Sequence, residues 1–285
     1  MYTAPTRGLF VYARGLLRPA DHAHADGPSL LEQHRHIHLN RIVEQGTAGM
    51  LVFPGEDEHD YTSVDELRDL FGIERDSIDP SQMQADYKKA FHRLRVALYT
   101  DASEACTFGE MLGLHATHLI PSADSNHSQT QHSIIQLLHA TDKGTADVWL
   151  FYLTTHTDRQ SLAWIDALCG QLRFMDALAP RLFVTIAASP SSSSSSLLTM
   201  PSRTIYQQQL NILPSHAIWN NQVVTHFRSQ QGIYAVCHAD STRCDAATQF
   251  TEKDCTANGA AGRIRACQLL AEMAFKLGRT PKYGA

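Results

Sequence analysis

Short apolar runs alternate with longer stretches of helical spacing, and this rhythm predicts the elements of the chain. In "PTRGLFVYARGLLRP" the run Gly8 to Ala13 reads as a buried strand, with Gly15 turning the chain after it. Ser29 and Glu32 have capping-box spacing, and Leu30, Leu31, His34, Ile37, His38, Arg41 and Ile42 keep a helical period until Gly46. "GMLVFPG" predicts a second strand, closed by Pro54 and Gly55. Thr62 or Ser63 caps "VDELRDLFGI", whose Val64, Leu67, Leu70 and Phe71 share one side. The run from Ser81 to Tyr99 reads as one helix with Met83, Tyr87, Phe91, Leu94 and Leu98 inward. Beyond it, "LHATHLIP" predicts a strand, "SQTQHSIIQLLHA" a helix, "DVWLFYLTT" a strand, "SLAWIDALCGQLRFMDALA" a helix and "RLFVTIAAS" a strand.

Strands that are apolar throughout, without alternation, suit a sheet covered on both faces. Alternation with helices predicts an α/β fold in three layers around a mostly parallel sheet. The core is expected over residues 1–189, followed by a solvated serine-rich loop at 190–199, because six consecutive serines cannot pack. Residues 200–258 read as a small irregular, β-containing extension, with a hairpin in "AIWNNQVVTHF" turning at Asn220 and Asn221, and a strand in "GIYAVCHA". Residues 259–285 end the chain in a helix that packs back on the core through Ile264, Cys267, Leu270, Met273 and Leu277, with Gly278 as its stop.

Composition narrows the function classes. A net charge of −5 argues against a nucleic-acid surface, which needs a basic excess. The 16 histidines make charge and association sensitive to pH near neutrality. No apolar run is long enough to span a bilayer, and Arg14 interrupts the N-terminal apolar stretch that a signal peptide would need. The six cysteines form no CxxC pair. The expectation is a reduced, intracellular protein, cytoplasmic by default, with no membrane partner.

Three segments together resemble the cofactor-independent phosphoglycerate mutase-like branch of the alkaline-phosphatase superfamily. "LFVYARGLLRP" followed by "SLLEQHRHIHLNRIVEQGTAGML" is similar to the family's strand, "DG" turn and following helix. "DVWLFYLTTHTDRQSLAWIDALCGQL" resembles the strand carrying a "D-x-x-G-H" site, and "RLFVTIAAS" the strand ending in a "D-H" pair. The closing "EMAFKLGRTPKYGA" resembles a C-terminal signature of a eukaryotic branch. The resemblance spans residues 7–189 and the last twenty. It implies an alkaline-phosphatase-like fold and two divalent metal ions held by Asp and His at strand ends, activating a Ser or Thr nucleophile.

The matched positions depart from that pattern. Arg14 stands where the first Asp is expected, Ala188 and Ser189 stand for the "D-H" pair, and "TTHTD" leaves only His156 and Asp158 of the third site. A unit-charge pair at about 4 Å is worth roughly 4 kcal/mol at an effective dielectric near 20. Exchanging Asp for Arg beside a dication therefore swings the local energy by on the order of 16 kcal/mol before solvation reduces it. Arg14 favours an anion instead, a phosphate or a partner's carboxylate. Thr62 and Ser63 are the hydroxyls nearest the nucleophile position, and helix capping suits them better, since Glu66 follows Ser63 by three residues. His34 and His38, at i and i+4, form an alternative metal site, with His22, His24 or Asp26 to complete it, but no HExxH motif is present.

The expected function is that of a pseudoenzyme without catalytic residues or cofactor, kept to bind protein partners as an interaction or scaffold subunit. The alternatives are a metal-dependent phosphoesterase or phosphomutase with relocated ligands such as His156 and Asp158, or a sensor that binds phosphate or another small anion through Arg14.

Overall fold

The structure, a computed structural model, describes residues 5–17, 30–33, 36–54, 61–74, 77–91, 93–120, 146–154, 159–174, 182–190, 218–219, 222–223, 231–238 and 244–281. Strands β1 (Arg7–Leu17), β2 (Thr47–Val52), β3 (Val96–Thr100), β4 (Ala116–Leu119), β5 (Val148–Leu153), β6 (Leu182–Pro190), β9 (Gly232–Cys237) and β10 (Gly262–Arg265) build one sheet. Their order is β10-β2-β9-β6-β1-β5-β3-β4. Every neighbouring pair is parallel except the two that flank β9. The helices are α1 (Leu30–Gln33), α2 (Ile37–Glu44), α3 (Ser63–Phe71), α4 (Pro80–Phe91), α5 (Ser103–Leu112), α6 (Arg159–Phe174), α7 (Glu252–Asn258) and α8 (Ala266–Lys276).

Alternate residues of the central strands feed two cores. Leu9, Val11, Trp149, Phe151 and Ile186 join α2, α6 and α7 on one face, while Phe10, Tyr12, Leu150, Tyr152 and Ala187 join α3, α4, α5 and α8 on the other. Strands buried on both sides must be apolar throughout, which is why β1, β5 and β6 stand out in the sequence. The three-layer α/β architecture is therefore as expected.

Four local assignments change. The helix expected over Ser81 to Tyr99 stops at Phe91, and Val96–Thr100 is a fully buried strand. The helix expected from Ser29 to Gly46 is described as two short ones, with His36 as the N-cap of the second. Ile264 belongs to β10, not to the C-terminal helix, which begins at Ala266. Within the segment expected as an extension, the β7 (Ile218–Trp219) and β8 (Gln222–Val223) hairpin forms a separate two-stranded sheet, but β9 lies inside the main sheet between β2 and β6. The serine tract, and the helix expected over "SQTQHSIIQLLHA", lie outside the described residues.

Beyond the sheet, Asp147 ties the start of β5 to two arginines. Its carboxylate accepts from the Arg95 backbone N–H at 2.9 Å, from Arg95 Nη2 at 3.1 Å and from Arg279 Nη2 at 2.7 Å. Arg279 follows Gly278, whose φ of 67° ends α8 as the sequence predicts. Among the described residues no disulfide joins the cysteines, and no helix is long and apolar enough to cross a membrane.

Candidate functional site

The C-terminal ends of β1, β5 and β6 converge on the first turns of α3. Gly15, at φ 84°, breaks the ladder just past Arg14, and the pairing of β1 with β6 shifts register between Arg14 and Leu17. Before that bulge, Tyr12 is paired with Tyr152 on one side and Arg14 with Ser189 on the other. Residues two apart on a strand share a face, so Tyr12 and Arg14 both project toward α3. The Tyr12 and Tyr152 rings stack with centroids 5.2 Å apart.

Glu66, in the first turn of α3, is the centre of this cluster. Its side chain is 2% exposed, and Arg14 Nε lies 3.3 Å from its Oε2. The Tyr152 hydroxyl lies 2.9 Å from the same oxygen and 2.9 Å from the Ser63 carbonyl, so its one proton is shared between these two acceptors. Ser189 Oγ donates to Oε1 at 2.9 Å. Arg14 Nη2 also donates to the Tyr61 carbonyl, and the Tyr61 hydroxyl donates to Asp69. One carboxylate thus gathers a cation from β1 and hydroxyl donors from β5 and β6.

At 3.3 Å and an effective dielectric near 20, the Arg14–Glu66 attraction is about 5 kcal/mol. Burial still dominates: it pushes the Glu66 carboxyl up to about 7, against the opposing effects of Arg14 and of the Ser189 and Tyr152 hydrogen bonds, with Asp69 adding to the rise. Burial likewise raises the Tyr12, Tyr61 and Tyr152 hydroxyls well above the ordinary tyrosine range, so all three stay neutral.

The residues that sequence singled out fare unequally. Arg14 and Ser189 do come together, and Thr62 and Ser63 stand at the start of the helix that carries Glu66. Thr62 is the N-cap of α3, accepting from the Asp65 N–H, and Asp65 closes the capping box. Glu66, expected to complete a box with Ser63, instead turns into the cluster, because the cap lies one residue earlier. The Ser63 hydroxyl donates to Glu104 of α5 at 3.1 Å. His156, Asp158 and His34 lie outside the described residues.

His38 sits on the opposite face of the sheet, as a packing residue. Its backbone N–H and that of Leu39 donate to Asp166 of α6, and its ring lies so close to Gly170 that a Cβ there would meet it at 2.5 Å. Among the described residues no group of three or more His, Cys, Asp and Glu side chains could hold a metal ion. The described residues at the strand ends do not fit the pair of dications that the resemblance implies. The carboxylate nearest Arg14 is already engaged through both oxygens, Asp69 is engaged by Tyr61 and Asp101 by Thr154, and a guanidinium stands where the first Asp is expected.

Sequence reasoning missed Glu66, Tyr12, Tyr152, Tyr61 and Asp69 as members of the site. Two tyrosines near the ends of otherwise aliphatic and Phe-rich strands were the available signal, since a buried hydroxyl asks for a partner.

No family model and no curated protein sequence matches the chain. Solved structures do. The chain is similar to the PH0037 protein from Pyrococcus horikoshii, with a TM-score of 0.64 and 12% identity over 99% of this chain and all of that one. It is also similar to the cofactor-independent phosphoglycerate mutase from Thermoplasma acidophilum, with a TM-score of 0.58 and 8% identity over 95% of this chain and all of that one. The alkaline-phosphatase-like α/β fold expected from the resemblance is the fold of this chain.

Proposed function

We propose that this chain is a pseudoenzyme: a protein with the fold of a metal-dependent phosphomutase whose chemistry is gone, and which works by binding other proteins. The observation that carries this is the Arg14–Glu66 pair at the β1 end. The anion that Arg14 was expected to attract is supplied from within the chain. A dication entering there would meet a guanidinium and would have to take Glu66 from Arg14, Tyr152 and Ser189 at once, so the seat is closed to the ions that phosphoryl transfer on this fold requires. Of the two hydroxyls near the nucleophile position, Thr62 is spent as the helix cap, accepting from the Asp65 N–H, and Ser63 is buried at 4% exposure. An interaction or scaffold role is what remains for a retained fold without such a centre.

Elemental analysis of untagged protein, with hydrolysis of p-nitrophenyl phosphate in Mn²⁺, Mg²⁺ and Zn²⁺, tests this. Metal far below one equivalent, no chelator-sensitive turnover and an unchanged melting temperature in EDTA are expected. Stoichiometric metal with turnover abolished by the chelator would overturn it in favour of an active phosphoesterase. Affinity purification from native cells then identifies the partners.

A further inference from the structure

The end of the sheet opposite Glu66 gathers cations around Asp147. Asp147 precedes β5 and Arg95 precedes β3, so both stand at the N-terminal ends of parallel strands. Asp147 accepts from Arg95 and from Arg279, two guanidinium groups on one buried carboxylate. Arg93 lies on the other side of Leu94, whose carbonyl accepts from the Tyr87 hydroxyl at 3.1 Å, and Lys88 and Lys89 follow Tyr87 in the last turn of α4. Lys276 closes α8, three residues before Arg279. Lys88, Lys89, Arg93, Arg95 and Lys276 are all exposed. Among the described residues no carboxylate pairs with Lys88, Lys89, Arg93 or Lys276.

A lysine in the last turn of a helix offsets the helix dipole, which accounts for Lys88, Lys89 and Lys276 singly. It does not account for Arg93, Arg95 and Arg279, which lie outside the helices. Asp147, with Asp86 and Glu272 one helical turn back, opposes these six cations with half their charge, so this end is basic in a chain of net charge −5. Asp147 also fixes the two forks. It holds Arg95 Nη2 at 3.1 Å and Arg279 Nη2 at 2.7 Å, while 45% of the Arg95 side chain and 39% of the Arg279 side chain stay open to solvent. Guanidinium groups already held in place lose little freedom when they take a further carboxylate.

We propose, on the reading that the chain works by binding proteins, that this basic end is the docking surface and that the partner presents an extended, carboxylate-rich segment to it. The two guanidinium forks suit carboxylates, and the flanking lysines steer an acidic chain toward them. Tyr87, Phe91, Leu94 and Leu277 interleave with the cations and are buried, so they offer neither a stacking platform for bases nor a wedge for a bilayer. The surface lies at the other end of the strands from Glu66, so a partner seated here leaves the Arg14–Glu66 pair untouched.

The probe is a fluorescein-labelled peptide of about twelve residues in which Glu alternates with Ser, long enough to cross the surface when extended. Its dissociation constant is measured by fluorescence anisotropy on the full, untagged chain at about 0.15 M ionic strength, where only close charge contacts escape screening. Saturable binding is expected, about tenfold or more tighter than that of the same peptide with Gln for Glu. Reversing four exposed charges together, by Lys88→Glu, Lys89→Glu, Arg93→Glu and Lys276→Glu, should weaken it about tenfold or more. Lys253→Glu, on an exposed position of α7, should leave it unchanged. Circular dichroism checks that each variant is folded. If the fourfold variant is not, Lys88→Glu with Lys89→Glu is read alone, with about a threefold loss expected. No saturable binding by the wild-type chain, equal binding of the Gln peptide, wild-type affinity in the reversed variants, or an equal loss in Lys253→Glu overturns the proposal. So does tighter binding of oligouridylate or of phosphatidylserine vesicles than of the acidic peptide, which would give the surface to RNA or to a membrane. Each of these outcomes leaves the absence of a metal centre standing, and stoichiometric metal with turnover would overturn that reading without changing the peptide affinity.

Discussion

Replacing Glu66 with glutamine removes one proton equilibrium while keeping the shape of the side chain and an acceptor oxygen for Tyr152 or Ser189. The carboxyl lies at about 7 in the folded protein against 4.5 for an unburied one. At about 1.4 kcal/mol per tenfold change in proton affinity, ionising it destabilises the folded state by about 3 kcal/mol relative to the unfolded chain. The sign follows from the raised value. The folded state holds the proton more tightly, so the stabilisation is fully present below pH 4.5, declines as pH rises through the interval to 7, and is gone above it. Urea unfolding of wild type and Glu66→Gln at several values between pH 4.5 and 8 isolates this contribution, because every other titrating group is common to both proteins. The stability of the variant minus that of wild type should grow by about 3 kcal/mol across the range. Parallel curves, or a difference that shrinks with pH, would refute the claim that burial outweighs Arg14 at this carboxyl.

Two further substitutions test the scaffold. Asp147→Asn takes the charge from a side chain 3% exposed that holds Arg95 and Arg279. Both arginines are well exposed and screened, so a loss of about 2 kcal/mol in urea unfolding is expected, and a change below about 0.5 kcal/mol would show the clamp to be idle. Gly170→Ala places a Cβ 2.5 Å from the His38 ring and should destabilise the chain by about 1–3 kcal/mol as α2 is wedged from α6. An unchanged melting temperature would show that His38 is loosely held.

The parts of the fold legible in sequence were those where burial on two faces leaves no polar position. β1, β5 and β6 are of this kind. Val96–Thr100 was absorbed into the preceding helix because its apolar residues continue a helical period across Leu94, and only tertiary context ends α4 at Phe91. β10 is four residues long, with two arginines, and its strand character comes from pairing with β2 alone. At the site, Arg14 was visible as a charge inside an apolar run. Glu66 was concealed by a rival local pattern: Ser63 and Glu66 have capping-box spacing, but so do Thr62 and Asp65, and the second pair is the one that forms. A shift of one residue in the cap rotates Glu66 from solvent to the strand ends. Tyr12 and Tyr152 read as ordinary core aromatics, and nothing in the sequence reveals that they stack across neighbouring strands.

The position of β9 bears on how the molecule is made. β2 hydrogen-bonds only to β9 and β10 within the sheet, so an early-synthesised segment has no place to dock until much later ones leave the ribosome. A nascent chain that has emitted β1 through β6 exposes one bare flank of β6 and an unattached β2, both sticky to other extended polypeptides. Assembly of this sheet therefore waits on translation, and fragments cut ahead of Gly232 should collect in inclusion bodies.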